Sequence, residues 1–324
     1  MPTNVTPEYK KAEQAFREAK TIDEKIERLQ DMISLLPKHK GTDHLYADLK
    51  RRMAKLKKQL DASDKKSKSG SSLEITREGA AQVVLLGPPN SGKSSILNAL
   101  TNSRPTIGNF PFSTQIMQPG MVPYKDIQIQ LVDTPPVTSY FMPRHLLSLV
   151  RHADAVLLAA DLASDNLLED MEAVFEAFRT RHVQFVADRK NTSKDRVLCR
   201  VIGNKVDAPD AAARLELLRE MLDNRLEVFT VSCRTGENIQ KLPEILYQWL
   251  QIVRVYTKAP GEKPDLGRPY TVFAGQTVED ICYLIHKDFI ENFRYARMWR
   301  AKDDPITVSR TEPVQDGDIL ELHI

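Results

Sequence analysis

Cysteine is scarce in this 324-residue chain. Cys199, Cys233 and Cys282 are the only three, they lie far apart, and no CxxC pair occurs. They fit neither a disulfide framework nor a cysteine zinc cluster, and reduced thiols in packed positions are the expected reading. Long apolar runs are also missing. No stretch approaches the ~20 residues of a membrane helix, and the first residues, MPTNVTPEYKK, contain no apolar signal core. The expected location is the cytoplasm, with no membrane partner. Charge of one sign is lacking too. The net charge is +2, so any attraction to nucleic acid has to come from local patches. Internal repeats are absent, and His145 and His152 have no metal-ligand partners at useful spacing.

Apolar residues make up 41% of the chain and charged residues 28%. That composition allows a core alongside heavily solvated segments, and the length suits about two domains of ~100–200 residues. Residues 1–61 read as a helical hairpin. Ile22, Ile26, Leu29, Ile33 and Leu36 recur at spacings of three and four, as do Leu45, Leu49, Met53, Leu56 and Leu60. Pro37 to Gly41 is the turn between the two runs. Residues 62–72, including SDKKSKSGSS, read as a flexible basic linker. From 73 to 258 strands and helices alternate. AQVVLL (81–86), IQIQLVD (127–133), ADAVLLAADL (153–162), RVLCRVIGNKVD (196–207) and LEVFTVS (226–232) are the expected strands. This α/β pattern implies a doubly wound, mostly parallel sheet. Residues 266–324 change order to strand, helix, strand, strand, a small α+β module near the lower size limit for independent folding.

Gly87-Pro-Pro-Asn-Ser-Gly92-Lys93-Ser94 satisfies GxxxxGK[ST] between a buried strand and an amphipathic helix. In such a P-loop, backbone N–H groups around Gly87, Asn90, Ser91, Gly92 and Ser95 cradle phosphates. Lys93 would reach the β- and γ-phosphates, and the Ser94 hydroxyl would ligate Mg²⁺. Asn204-Lys205-Val206-Asp207 follows a later strand. Asp207 would accept two hydrogen bonds from guanine, a donor pair that adenine lacks. Asn204 would tie loops together and contact the base, whose face the Lys205 stem would cover. Ser232-Cys233-Arg234-Thr235-Gly236 follows the next strand, with the Cys233 N–H suited to guanine O6. These motifs, in this order, predict binding of GTP or GDP.

The chain resembles Obg-family GTPases, and more closely the developmentally regulated GTP-binding (DRG) proteins. KGTDHLYADLKRRMAKLKKQL (40–60) is similar to the helical segment before their GTPase domain. NFPFSTQIMQPGMV (109–122) resembles the Obg-type first switch, whose threonine binds magnesium. By that resemblance Thr114 is the magnesium ligand, with Ser113 as the neighbouring alternative. The end of the chain, DGDILELHI, resembles a TGS domain, a β-grasp module. The resemblance implies a ribosome- or RNA-associated protein acting around translation; a protein partner is a separate candidate. The basic run Lys50 to Lys68 would meet rRNA phosphates or form a solvated face. For Phe293–Arg300, period-two strand packing is favoured over stacking on RNA.

Two departures stand out. DRG proteins carry an extra domain inserted within the GTPase domain, and the stretch from Asp133 to Asn204 is too short to hold it. The usual DxxG switch reads Asp133-Thr134-Pro135-Pro136. Asp133 can hold a magnesium-bound water, but Pro136 has no N–H to offer a γ-phosphate. Val137 follows, where a glutamine would orient water. The expectation is a slow GTPase with Lys93 and Thr114 as its catalytic residues, no side-chain general base, and a second switch that responds weakly to nucleotide. The resemblance also makes Asn90 a candidate K⁺ ligand; a purely loop-stabilising role is the alternative. The competing reading is a weakly or non-hydrolysing, guanine-nucleotide-dependent adaptor bridging RNA and protein.

Overall fold

Buried runs on the sheet are apolar in both parities, which only a sheet covered on both faces requires. The computed structural model describes residues 7–18, scattered helical positions between 25 and 55, and residues 75–101, 117–138, 142–223, 225–300 and 304–324. The chain divides into two compact units, Met1–Leu73 and Glu74–Ile324.

In the first unit, helix α1 (Pro7–Glu18) presents Tyr9 and Ala12 to a cluster with Leu29, Met32, Leu49 and Met53. Ile33 and Leu45 pack against the same cluster. Described residues of both periodic runs thus share one cluster, to which α1 contributes as well. Ile22, Ile26, Leu36, Leu56, Leu60 and the 62–72 linker lie outside the described residues.

The second unit holds a seven-stranded sheet in the order β2-β3-β1-β4-β6-β5, with β7 also paired to β6. The strands are β1 (Gln82–Leu86), β2 (Gln118–Tyr124), β3 (Ile127–Asp133), β4 (Ala155–Asp161), β5 (Gln184–Val186), β6 (Arg196–Asn204) and β7 (Val228–Thr230). All pairs are parallel except β2 with β3. Successive side chains point to opposite faces. Val83, Leu85, Leu157 and Ile202 enter one core with helices α2 (Lys93–Leu100) and α6 (Leu242–Trp249). Val84, Leu86, Leu158 and Val201 enter the other with α3 (Arg144–His152), α4 (Leu167–Arg179) and α5 (Ala211–Leu222). The span from Asp133 to Asn204 is taken up by α3, β4, α4, β5, a short 3₁₀ turn at Arg189–Asn191 and β6.

A second sheet runs β11-β10-β12-β8-β9. Its strands are β8 (Ile252–Thr257), β9 (Asp265–Phe273), β10 (Tyr295–Trp299), β11 (Ile306–Val308) and β12 (Asp318–His323). Strand β8 pairs in parallel with β12 and antiparallel with β9. The expected division between 258 and 266 thus falls between two strands of one sheet, because β8 finds its partners downstream. Helix α7 (Val278–Ile285) starts in a capping box between Thr277 and Asp280. It ends at His286, whose extended backbone separates it from α8 (Lys287–Glu291), so the single helix expected in this module is two. In β10, Ala296 and Met298 are buried while Tyr295, Arg297 and Trp299 take the other face. Tyr295 stacks on His323 at 4.4 Å, and Lys258 lies over the Trp299 ring at 4.5 Å.

Polar contacts join the two sheets. Arg254 on β8 donates to Asp126 Oδ1 at 2.7 Å, in the turn between β2 and β3, and to both oxygens of Asp316 at 3.0 Å. The Tyr256 hydroxyl donates to Asp126 Oδ2 at 2.5 Å.

Candidate functional site

Ligands of open α/β sheets bind outside the carboxyl ends of the strands, and the predicted motifs converge there. The loop after β1 begins at Gly87 (φ 152), where an added Cβ would lie 2.5 Å from the Ala159 carbonyl. Gly92 (φ 84) caps α2, and a Cβ there would lie 2.0 Å from Asn204 Nδ2. The loop is therefore as tight as a phosphate cradle requires, with no room for side chains at either end. Lys93 is buried, and its Nζ donates to Gly87 O at 3.1 Å and Pro88 O at 2.9 Å. Burial pushes its pKa down to about 8, partly countered by Asp133. Ser91 is fully buried and donates to Pro88 O at 2.9 Å, while Ser94 and Ser95 are exposed on the first turn of α2.

Asp133 ends β3 and is 1% exposed. Ser94 Oγ donates to its Oδ2 at 2.5 Å, and Oδ1 is buried without a hydrogen-bond partner. Burial raises the Asp133 pKa above the usual carboxylate range, against the lowering effects of Ser94 and Lys93. A buried carboxylate oxygen lacking a donor, beside a serine hydroxyl, is the oxygen set that a hard cation such as Mg²⁺ takes. Among the described residues, no group of three or more His, Cys, Asp or Glu side chains could hold a metal. Thr114 and Ser113 lie outside the described residues.

The segment after Asp133 is tied down. Thr134 Oγ1 donates to Leu85 O at 2.6 Å, and the Val137 N–H donates to Gly87 O at 3.1 Å. Val137 is fully buried and packs in the core with Leu146 and Val150.

Asn204 is 2% exposed and bridges loops, with Nδ2 donating to Ser91 O at 3.0 Å. Its Oδ1 accepts from Lys205 N at 2.8 Å and Cys233 N at 3.5 Å. The Cys233 N–H, expected to face guanine O6, is directed in this structure at Asn204. Asp207 accepts from Ser232 Oγ on Oδ1 and from Arg234 on Oδ2. The Ser232 bond, the largest effect, and the weaker Arg234 bond hold its carboxyl below the usual range, against a desolvation effect that lies between them in size. Asn90 is exposed with φ 60, a left-handed conformation in which asparagine is enriched.

A family model described as 50S ribosome-binding GTPase matches residues 82–189, and a TGS-domain model matches residues 253–324. Over most of its length the chain is also similar to proteins named as developmentally regulated GTP-binding proteins. It is 26% identical to a homologue of protein 2 of that group from Dictyostelium discoideum, covering 93% of this chain and 99% of the relative. The chain has a P-loop GTPase fold with a C-terminal TGS domain and is similar to the DRG proteins. An uncharacterised GTP-binding protein of Methanocaldococcus jannaschii is 28% identical to the DRG-like chain, covering 94% and 93%. That alignment spans 365 positions, more than the 324 residues here, so the relative carries residues that this chain lacks. In fold, the DRG-like chain resembles the Schizosaccharomyces pombe YchF GTPase, with a TM-score of 0.52 at 13% identity over 76% of this chain and 99% of that one. A GTP-binding protein from Pyrococcus horikoshii gives 0.51 at 14% identity over 75% and 99%. The TGS match begins within β8, in agreement with the sheet pairing.

One site residue escaped the motif reading. Asp161 ends β4 and is 8% exposed. Its Oδ2 accepts from Lys205 Nζ at 2.6 Å and its Oδ1 from Ala163 N at 2.9 Å. It therefore fixes the lysine expected to cover the base. The signal was a lone carboxylate closing an otherwise apolar parallel strand, at the sheet end where ligands bind.

Proposed function

We propose that this chain binds GTP and GDP, hydrolyses GTP slowly, and works in association with the ribosome or its RNA in the cytoplasm. The carrying observation is the Asn204–Ser91 bridge of 3.0 Å, which joins the expected base-reading loop to the expected phosphate loop as one site. Asp207 would read the guanine edge, with Lys205 and the loop Ser232–Arg234 around the base. Lys93 would exchange its loop carbonyls for β- and γ-phosphate oxygens. Ser94 and Thr114 would hold Mg²⁺, with Asp133 acting through a bound water. The ion, when bound, neutralises charge on the phosphates. The chain's own part is to position phosphate, exclude water and supply backbone donors. Val137 brings no water-orienting group, so the rate would be low. Asn90 is the candidate ligand for a K⁺ ion beside the phosphates.

Ribosome or rRNA association draws on the family description and on the exposed Lys50, Arg51, Arg52 and Lys55, together with the TGS domain. No helix among the described residues is long and apolar enough to cross a membrane. The tether of Val137 to Gly87 favours a second reading, a guanine-nucleotide-dependent adaptor that hydrolyses little and bridges RNA and a protein partner.

Multiple-turnover GTP hydrolysis in potassium buffer, with and without ribosomes, tests the proposal. Controls are Lys93→Ala and sodium buffer. Turnover that ribosomes raise and Lys93→Ala abolishes is the expected result. GTP binding without turnover in any condition selects the adaptor. Equal rates in sodium and potassium remove the K⁺ role.

A further inference from the structure

The carboxylate expected to read the base already has a guanidinium on it. A carboxylate offers about four lone-pair directions. Ser232 Oγ takes one on Asp207 Oδ1. Arg234 Nε donates to Oδ2 at 2.5 Å, and Arg234 Nη2 reaches the same oxygen, so both directions of Oδ2 are used. One direction remains on Oδ1. Guanine presents two neighbouring donors, N1–H and the exocyclic amine, and needs one direction on each oxygen.

We propose that Arg234 is a specificity-determining residue that competes with guanine for Asp207 Oδ2. This rests on the guanine-nucleotide reading above. The guanidinium offers the carboxylate the same kind of N–H pair as the guanine edge, and a complete guanine contact must displace it. Ser232 need not move. Hypoxanthine carries the N1–H donor without the amine, and can be held on Oδ1 with the Arg234 fork in place. The competition therefore weighs on guanine and spares hypoxanthine. The Arg234 side chain is 74% exposed, so it can leave for solvent without disturbing the core. An exposed ion pair of this kind is worth about a two- to fivefold change in affinity.

Affinities of GDP and inosine diphosphate for the full chain, measured by calorimetry, test this with Arg234→Ala, Arg234→Gln and Asp207→Asn. Both Arg234 variants are expected to bind GDP about two- to fivefold tighter, with inosine diphosphate unchanged. Weaker or unchanged GDP binding overturns the proposal, as does equal tightening of both nucleotides. Asp207→Asn should weaken GDP binding. If it does not, the base-reading role of Asp207 fails and the competition falls with it. If it does, while Arg234→Ala moves neither nucleotide, base reading stands and only the role of Arg234 is overturned. Thermal melts of the Arg234 variants should stay close to the parent, since the side chain is 74% exposed.

Discussion

The Val137 amide donates to the Gly87 carbonyl at 3.1 Å, so the start of the expected second switch is bonded to the start of the phosphate loop. Pro136, one residue earlier, has no N–H at the position where a DxxG glycine offers one. Thr134 adds a 2.6 Å bond to Leu85 O, and the Val137 side chain is fully buried. The segment thus has few ways to respond to a γ-phosphate.

Pro136→Gly restores both the missing donor and backbone freedom. A hydrogen bond to a charged group is worth roughly 1.5–3 kcal/mol. The variant should bind a GTP analogue at least ~10-fold more tightly relative to GDP than the parent does. Hydrogen exchange over 134–138 should differ between the two nucleotides in the variant and hardly at all in the parent. A large nucleotide-dependent difference in the parent would remove the stiff-switch reading.

Gly92→Ala should cost both stability and nucleotide affinity. The new Cβ meets Asn204 Nδ2 at 2.0 Å, and the Asn204 amide cannot retreat without losing its bond to Ser91. Left-handed backbone adds ~1–2 kcal/mol. Gly275→Ala is the matched control, with φ +91 and open space around its Cβ. Both variants should lose stability from strain, but only Gly92→Ala should lose GDP affinity, by tenfold or more (~1.4 kcal/mol per decade). Equal GDP affinity in the two variants would show that the Gly92–Asn204 contact is not needed.

Asp161→Ala frees the Lys205 ammonium from its 2.6 Å partner. Lys205 is 38% exposed, so solvent screens part of the interaction. The GDP dissociation rate should rise about three- to tenfold, corresponding to ~1 kcal/mol. Asp161→Glu should recover part of the loss. Stopped-flow release of a fluorescent GDP reads the rate, and an unchanged rate would leave Asp161 with no part in base binding.

What the sequence discloses here follows from how local each signal is. Strands β1, β3, β4 and β6 announce themselves because their alternation, or their unbroken apolar run, is a property of consecutive residues. Strand β2 does not. Pro119 and Pro123 argue against a strand, and they are tolerated because β2 is an edge of the sheet. Strand β8 follows the last helix of the first sheet directly, so sequence order assigns it there, whereas its hydrogen bonds go to β9 and β12. The motifs around Lys93, Asn204 and Asp207 were legible from order and spacing. The Asn204–Ser91 and Val137–Gly87 bonds were not, since they join segments that only the folded sheet brings together. Arg234 falls in the base-site motif, yet its fork on Asp207 Oδ2 depends on a loop geometry that no spacing reports.

The junction between the sheets carries its own pH dependence. Burial alone would raise the Asp126 carboxyl, but hydrogen bonds from Tyr256 and Arg254 more than offset it, and its pKa falls below the usual range. Asp316 behaves likewise, with burial opposed by bonds from Arg254 and Tyr247. A carboxylate with a depressed folded pKa contributes stability that is complete above its unfolded pKa, ~3.9. That contribution is lost as pH falls through the lower folded value. The junction should therefore hold from neutral pH to about pH 5 and weaken below ~4. Arg254→Gln reverses the dependence. It leaves two carboxylates without their shared cation, in a junction where the Arg254 side chain was 14% exposed. Breaking such a pair costs ~3–5 kcal/mol when buried, and partial exposure of Asp126 and Asp316 reduces this to ~2–3 kcal/mol. Protonating one carboxyl relieves part of that loss, so relative to the parent, where the junction's own contribution is flat, the variant should gain stability between pH 7 and about pH 5. Urea unfolding followed across this range separates the two profiles. Parallel curves for parent and variant would mean that Arg254 does not hold the carboxylates together.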